Sequence, residues 1–156
     1  MSIKVGDNAP EFTLPNTERE EISLSEFKGN KNVLILFFPF AFTGVCTKEL
    51  CSTRDNLKVY ENMNAEVLAI SVDSPFTLGK FKEENKLNFN VLSDFNKNVS
   101  NTFDAIYKDF LGFSGVAKRS AFVVDKSGVV RYAEVLDNAG DLPNFEAIQS
   151  TLSELD

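Results

Sequence analysis

The chain has 156 residues, 43% of them hydrophobic, with 16 basic and 23 acidic side chains and a formal net charge of −7. This length suits one compact domain, and we expect residues 1–156 to form a single domain. An acidic chain without a basic run is a poor partner for a phosphate backbone, so nucleic-acid binding is not expected. The chain contains no histidine, which excludes serine–histidine and cysteine–histidine catalysis and most zinc sites.

The start of the chain and its apolar runs predict where the protein works. Residues 1–10 lack the basic start and apolar stretch of a signal peptide. The longest apolar run, residues 33–38 (VLILFF), is too short to span a bilayer. We therefore expect a cytoplasmic protein without a membrane partner. In that reducing compartment, Cys46 and Cys51 are more often reactive or buried than joined in a structural disulfide.

Four segments have the length and the apolar, β-branched composition of buried strands. They are residues 32–38, 66–72, 120–124 and 129–135. The turn composition of Asp125-Lys126-Ser127-Gly128 predicts that the last two strands pair antiparallel. Residues 11–24 are expected to form short edge strands.

Three segments are predicted to be helical: residues 43 to about 63, 74 to about 86, and 143–155. Residues 94–118 have weak periodicity and are expected to hold an inserted helix or loop. The order of strand, helix, strand, helix, hairpin and helix predicts an α/β protein of thioredoxin-like fold. Its mixed central β-sheet is expected to be flanked by helices on both faces.

Cys46 lies where the chain turns from the first long strand into a helix. Free N–H groups and the positive dipole end of a helix start favour an anion, so the thiolate form is expected there. Ionisation alone accelerates a thiol by about 30-fold at most. A fast reaction therefore also needs donors placed around the bond that breaks. The alternative is that Cys46 and Cys51 are small buried hydrophobes.

Two side chains are candidate donors near this thiol. Thr43, three residues before Cys46, either presents its hydroxyl beside the sulfur or caps the helix by accepting from the N–H of Cys46. Arg119 precedes strand 120–124 and lies near Cys46 only if that strand neighbours strand 32–38. Otherwise it is a solvated arginine.

The spacing of Cys46 and Cys51 restricts how the two sulfurs can react. Five helical residues advance about 7.5 Å along the axis, so the Cα atoms lie beyond the roughly 7 Å limit of a disulfide. A bridge therefore needs the first helical turns to unwind, and a permanent disulfide is not expected. A zinc site is unsupported, because two sulfurs without histidine leave half of the tetrahedron to carboxylates.

Pro39, Thr43 and Cys46 match a P-x-x-x-T-x-x-C signature, and the chain resembles the peroxiredoxins along nearly its whole length. The opening residues 5–12 (VGDNAPEF) and Arg119 ahead of SAFVVD are also similar to that family. The resemblance implies a single thioredoxin-like peroxiredoxin domain. It also implies an antioxidant enzyme that reduces hydrogen peroxide and organic hydroperoxides.

The resemblance implies a role for each site residue. Cys46 is the peroxidatic cysteine, and Thr43 and Arg119 hold the thiolate and the peroxide by hydrogen bonds. Pro39 shields the sulfenic acid from further oxidation. Glu49 holds the arginine through its carboxylate, the alternative being a solvated helix glutamate. Neither a metal nor an organic cofactor is implied.

The subfamily features are mixed. Residues 38–46 (FPFAFTGVC) look like the E-type alkyl hydroperoxide reductases. A cysteine five residues after Cys46 is similar to the Q-type, bacterioferritin-comigratory peroxiredoxins. That similarity implies that Cys51 resolves the sulfenic acid as an intrachain disulfide, which thioredoxin or a similar dithiol reduces. The expected assembly is a monomer or homodimer.

Two other functions stay open. In a one-cysteine cycle, Cys51 is a bystander and an external thiol resolves the sulfenic acid. In a thioredoxin-fold redox sensor or interaction protein, oxidation alters a surface and turnover is irrelevant. Four aromatic residues form either an apolar collar or dimer patch near the site or part of the core: Phe40, Phe42, Phe110 and Phe113.

Overall fold

The structure is a computed structural model that describes residues 2–155. Its strands are Thr13–Pro15 (β1), Glu21–Ser23 (β2), Asn32–Phe37 (β3), Ala65–Ser71 (β4), Asn90–Ser93 (β5), Ile106–Tyr107 (β6), Val116–Ala117 (β7), Ser120–Val124 (β8) and Val130–Val135 (β9). Its helices are Gly44–Asp55 (α1), Leu57–Asn62 (α2), Pro75–Asn85 (α3), Asn98–Thr102 (α4) and Phe145–Ser153 (α5), with a 3₁₀ helix at Leu24–Phe27. No helix within residues 2–155 has the length and apolar character needed to cross a membrane.

Five strands form the central sheet in the order β5-β4-β3-β8-β9. The strands β5, β4 and β3 run parallel, and β8 and β9 continue the sheet antiparallel. The predicted mixed sheet is therefore confirmed, and so is the antiparallel pairing of the last two strands. The sequence does not predict β5, because its four residues at the sheet edge are too few to show a period.

Side chains of the central strands fill an apolar layer on each face of the sheet. One layer packs against α1, α2, α3 and α5, and the other packs against α4 and the β1–β2 hairpin. All six residues of β3 are buried, as expected for a strand covered on both faces. Phenylalanine rings carry much of the second layer, where Phe103 lies 5.4 Å from Phe37 and 5.3 Å from Phe122 between centroids.

The long helix predicted for residues 43–63 is two helices. Helix α1 ends at Asp55 and α2 begins at Leu57, since Asn56 between them has φ −105° and ψ 12°. Its side-chain amide donates to the carbonyl of Ser52 at 2.9 Å. Asparagine bonds of this kind compete with helical geometry. A break of one residue leaves the apolar period intact, so the pattern does not reveal it.

The two irregular segments fold as short elements. Residues 11–24 form β1 and β2, an antiparallel hairpin that is bridged to the central sheet between Asn16 and Leu92. Residues 94–118 contain α4 and the antiparallel pair β6–β7. The inserted helix expected in this segment is therefore present.

The carboxyl ends of β4 and β5 hold the loop that leads from β3 into α1. Asp73, just after β4, accepts hydrogen bonds on Oδ2 from the backbone N–H of Ala41 at 2.8 Å and from the hydroxyl of Ser71 at 2.7 Å. The hydroxyl of Ser93, at the end of β5, donates to the Asp73 carbonyl at 2.6 Å. Burial raises the pKa of Asp73, although the bonds from Ala41 and Ser71 oppose the shift.

This anchoring matters because the next residue of the loop is strained. Phe42 has a φ of 66°, a left-handed conformation that is unfavourable for a bulky side chain. Its ring is half-exposed and contacts Phe81 of α3 at a centroid distance of 5.3 Å. The bond from Ala41 to Asp73 holds the backbone immediately before this residue.

Replacing Asp73 with alanine should lower the free energy of unfolding by about 1–3 kcal/mol, because the N–H of Ala41 and the hydroxyl of Ser71 lose their acceptor. Asp73→Asn is the matched control, since its amide oxygen can accept both bonds, and its loss should stay below about 1 kcal/mol. Urea unfolding followed by circular dichroism measures both values. Equal losses would contradict the assigned role of this oxygen.

Candidate active site

Cys46 is the third residue of α1, and its side chain is only 1% exposed. Helix α1 begins after Thr43, which is extended with φ −106° and ψ 154° and occupies the N-cap position. The sulfur therefore lies in the first helical turn, as predicted. The free N–H groups of this turn favour an anion.

Arg119 reaches Cys46 because β8 pairs with β3. Phe37, the last residue of β3, lies opposite Ser120, the first residue of β8. The residue before Ser120 therefore lies beside the loop that follows β3. The guanidinium donates from Nη2 to the Cys46 sulfur at 3.1 Å. Since Arg119 is 2% exposed, the alternative of a solvated arginine is wrong.

Two further hydrogen bonds orient the guanidinium. Its Nη1 donates to Oε1 of Glu49 at 2.6 Å, and its Nε donates to the carbonyl of Ala139 at 2.9 Å. Glu49 follows Cys46 by three residues, so both lie on the same face of α1. Glu49 is fully buried, and the alternative of a solvated glutamate is therefore wrong.

The carboxyl group of Glu49 is in an unfavourable place for a negative charge. Burial raises its pKa to about 7, although the charge of Arg119 and the hydrogen bond from it act in the opposite direction. The second oxygen, Oε2, is buried and has no hydrogen-bond partner among residues 2–155. A proton on Oε2 removes the charge that burial disfavours. Burial therefore favours the protonated carboxyl group, whereas Arg119 favours the ionised one.

Thr43 bonds to the loop and does not cap the helix through its side chain. Its hydroxyl donates to the carbonyl of Phe40 at 2.8 Å, and the side chain makes no cap bond to α1. The alternative that the Thr43 side chain caps the N–H of Cys46 is therefore wrong. The hydroxyl proton is used to close the turn between β3 and α1. A bond from Thr43 to the sulfur stays a prediction.

An open cleft of about 670 Å³ leads to the sulfur. Cys46, Arg119, Thr43 and Pro39 line it, and Glu49 lies behind the guanidinium. The fold thus brings together five of the six residues that the sequence proposes for the site. Within the part of the chain that the structure describes, no group of three or more carboxylate or thiol side chains is arranged to hold a metal ion.

Aromatic side chains form the outer wall of this cleft. Phe40 contacts the rings of Phe110 and Phe113 at centroid distances of 6.0 and 5.8 Å. Tyr107 stacks on Phe110 at 5.3 Å. Of the alternatives, the apolar collar therefore applies to Phe40 and Phe110, which line the cleft, while Phe113 packs behind them on Phe40. Phe42 is not part of it, since its ring packs on α3.

Cys51 lies apart from the other five site residues. It is half-buried on α1, and its thiol donates to Oδ1 of Asn85, the last residue of α3, at 3.6 Å. It does not line the cleft that contains Cys46. Both cysteines are free thiols, and α1 is continuous between them. In this state the intact helix keeps the two sulfurs apart.

Sequence reasoning misses three groups around the site. They are the carbonyl of Ala139, the carboxylate of Asp73 and the ring of Tyr107. A backbone carbonyl has no side-chain signature, and a single aspartate or tyrosine in an irregular segment is not distinctive. The one usable signal is the turn composition of residues 138–140 (NAG), which marks a loop directly after β9.

Comparisons with known proteins identify the family. Residues 5–133 match the AhpC/TSA family. The chain is 41% identical over 133 residues to alkyl hydroperoxide reductase E of Mycobacterium tuberculosis. The aligned region covers 85% of this chain and 86% of that protein. It is 37% identical over 155 residues to peroxiredoxin Bcp of Escherichia coli, with 97% of each chain covered. Similarity to both relatives confirms the mixed subfamily resemblance.

Solved structures share the fold. Peroxidoxin BcpB from Mycobacterium tuberculosis has a TM-score of 0.86 at 29% identity, with 96% of each chain covered. A peroxiredoxin-like protein from Aquifex aeolicus has a TM-score of 0.89 at 25% identity, covering 100% of this chain and 90% of the other. The predicted thioredoxin-like fold is thereby confirmed. Because the family match spans most of the chain and two relatives exceed 30% identity, the chain belongs to the AhpC/TSA family, the peroxiredoxins, and is a thiol peroxidase.

Proposed function

We propose that Cys46 is the peroxidatic residue and reduces hydrogen peroxide and organic hydroperoxides through a sulfenic acid. The observation that carries this proposal is the 3.1 Å hydrogen bond from the buried Arg119 to the Cys46 sulfur. The bond is made in the first turn of a helix, where N–H groups also favour an anion. A cation and a helix start together support a thiolate nucleophile.

In the first step the thiolate attacks the terminal oxygen of the hydroperoxide. An S–O bond forms and the O–O bond breaks, so the sulfur is oxidised and the departing oxygen takes a proton to leave as water or an alcohol. The bonds to Cys46, Glu49 and Ala139 use three of the five N–H groups of Arg119. Nη2 carries another N–H, which can bond the oxygen that gains negative charge.

Thr43 and Pro39 support this step by their positions in the cleft. Both line the cleft beside Cys46. The hydroxyl of Thr43 donates to Phe40, and its oxygen keeps lone pairs that can accept a bond from the peroxide O–H. We assign Thr43 to orienting the hydroperoxide and Pro39 to restricting access of a second peroxide to the sulfenic acid.

Resolution by Cys51 requires a change in α1. The Cys51 thiol attacks the sulfenic acid of Cys46, an S–S bond forms, the S–O bond breaks, and the oxygen leaves as water. An intact helix separates the two residues by about 7.5 Å along its axis, so the first turns must unwind. A dithiol such as thioredoxin then reduces the disulfide and restores both thiols. We place this cycle in the cytoplasm, where such reductants are abundant.

A one-cysteine cycle is the second candidate, and the position of Cys51 favours it. The Cys51 thiol bonds to Asn85 and does not line the cleft. In this cycle an external thiol attacks the sulfenic acid to form a mixed disulfide, and a second thiol releases Cys46. The two cycles differ in the product that forms when no reductant is present.

We also propose that Glu49 positions Arg119 and that its proton sets the charge available to the sulfur. An ionised Glu49 offsets part of the positive charge that the guanidinium of Arg119 presents to Cys46. A neutral Glu49 still accepts the bond at 2.6 Å but leaves the full charge facing the thiolate. The pKa of about 7 places this exchange near neutral pH.

Changing Cys46 to serine should lower peroxide consumption by roughly three orders of magnitude or more, because a serine hydroxyl without an adjacent base is a poor nucleophile. A thioredoxin-coupled assay with hydrogen peroxide measures the loss. The matched control is Cys51→Ser, which should still consume one equivalent of hydrogen peroxide without reductant because a sulfenic acid forms at Cys46. Near-normal turnover of Cys46→Ser would show that another residue is the nucleophile.

One equivalent of hydrogen peroxide, added without reductant, should leave the unsubstituted chain two hydrogens lighter, with the peptides of Cys46 and Cys51 linked. Cys51→Ser should instead gain one oxygen, because its sulfenic acid has no internal partner. Intact-mass and peptide mass spectrometry distinguish the products. A stable one-oxygen adduct on the unsubstituted chain would support the one-cysteine cycle and contradict resolution by Cys51.

The pKa of Glu49 predicts a pH-dependent stability. The folded-state pKa of about 7 lies above the ordinary value of 4.5, so the folded protein binds the extra proton between these pH values. The stability from this proton is complete below pH 4.5 and is lost as the pH rises through 7, by on the order of 3 kcal/mol.

Glu49→Gln tests this dependence, because it keeps an acceptor for Arg119 but does not titrate. Urea unfolding between pH 4.5 and 8 should show a flatter profile for Glu49→Gln than for the unsubstituted chain. Parallel profiles of the two proteins would show that Glu49 is already ionised throughout this range.

A further inference from the structure

A tight turn at the mouth of the cleft holds an aliphatic side chain in an unfavourable conformation. Phe110 and Phe113 exchange backbone hydrogen bonds of 2.8 and 2.9 Å, so Leu111 and Gly112 form a two-residue hairpin turn. Their φ angles of 55° and 86° are those of a type I′ turn, which favours asparagine followed by glycine. Gly112 suits this turn, whereas left-handed geometry crowds the Cβ of Leu111.

Packing within the chain does not explain this choice of residue. Leu111 is 80% exposed, so it gains little from burial. The turn itself is firmly supported, since Phe110 stacks on Tyr107 and both Phe110 and Phe113 contact Phe40. Strained and exposed residues at an active site indicate contact with a molecule that enters it.

The cleft has far more room than hydrogen peroxide needs. Its volume is about 670 Å³, whereas a water-sized molecule occupies about 30 Å³. Clefts of this size hold ligands with substantial apolar groups. Phe40, Tyr107, Phe110 and Leu111 make the wall on one side of the cleft apolar.

The charges that line the cleft disfavour an anionic ligand. Asp109 and Asp137 both line it, and Asp137 already pairs with Lys118 at 2.6 Å. The lining guanidinium of Arg119 is engaged by Cys46 and by the carboxyl group behind it. A carboxylate on a bound molecule would therefore face Asp109 without a free cation among the lining residues.

We propose that Leu111 is a specificity-determining residue that contacts the uncharged, apolar substituent of an organic hydroperoxide whose O–O group lies at Cys46. This assignment rests on the proposed peroxidase function of Cys46. The turn lies on the wall of the cleft and is not bonded to the thiol, so its side chain distinguishes substrates by what they carry beyond the O–O group. Hydrogen peroxide carries no such substituent.

Leu111→Asn tests the assignment, because asparagine removes the apolar contact and suits the turn. We expect the ratio of kcat/KM for cumene hydroperoxide to that for hydrogen peroxide to fall roughly 3- to 10-fold. The melting temperature should rise by about 2–4 °C, because the strain at this position is relieved. A lower ratio together with a higher melting temperature separates loss of substrate contact from damage to the fold.

Two further variants make the test specific. Leu111→Ala removes the contact without introducing the preferred turn residue, and it should lower the ratio to a similar extent. Val5→Asn replaces another exposed aliphatic residue, 61% exposed and outside the cleft, and should leave the ratio unchanged. In the unsubstituted chain, cumene hydroperoxide should react faster than its para-carboxylate, which differs only in carrying a negative charge.

An unchanged ratio in Leu111→Asn would overturn the assignment. An unchanged ratio with an altered sedimentation coefficient would also overturn it and would assign the turn to contact between copies of the chain. Faster reaction of the para-carboxylate would overturn the preference for an uncharged substituent. Absence of peroxidase activity in the unsubstituted chain would instead overturn the proposed function of Cys46, so the two failures are distinguishable.

Discussion

A buried guanidinium, shared between a thiol and a carboxyl group, organises this site. Arg119 is almost inaccessible to water, so its charge is tolerated only because Cys46, Glu49 and a backbone carbonyl satisfy it. Two of these partners come from the first turns of α1. The arginine itself comes from the start of β8, beside β3. The sheet register, the start of the helix and the ion pair therefore depend on one another.

In the proposed two-cysteine cycle, the same helix has to satisfy two opposing demands. Helix α1 carries Cys46 and Glu49, which engage Arg119, and it also carries Cys51. Unwinding it to bring the cysteines together removes both partners of the guanidinium at once. The buried residues of α1 include one large apolar side chain, Leu50, beside a thiol, a carboxyl group and Thr53. A helix with so few apolar contacts can open locally at modest cost, while the sheet beneath it stays intact.

Two exposed apolar residues of the described chain have left-handed backbone conformations. Phe42 precedes the helix that bears the thiol, and Leu111 lines the cleft. Neighbouring contacts stabilise each conformation. Before Phe42, the N–H of Ala41 donates to Asp73, and the residues on either side of the Leu111 turn, Phe110 and Phe113, pack on Phe40. At both positions the surrounding structure overrides the local conformational preference of the residue. Such conflicts are typical of functional sites.

The patterns of adjacent residues were enough to predict the buried strands and the position of Cys46 at the start of a helix. A continuous apolar run predicts a central strand, and the change from strand to helix pattern places the thiol in a first helical turn, because both are properties of adjacent residues. Pattern alone did not reveal the break at Asn56 or the short strand β5, since neither changes a period. For Arg119 the residues alone favoured a solvated side chain, and Glu49 was proposed for the site only from the family resemblance.

Tertiary structure alone decided which distant groups meet. Arg119 lies 73 residues from Cys46 in the chain, and the two touch because β8 pairs with β3 in one particular register. The carbonyl of Ala139, which follows β9, and the turn at Leu111, between β6 and β7, also reach the cleft only through tertiary packing. The sequence by itself therefore determined where a reactive thiol sits on its helix. The groups around that thiol are set by strand pairing, which depends on many weak contacts between segments far apart in the chain.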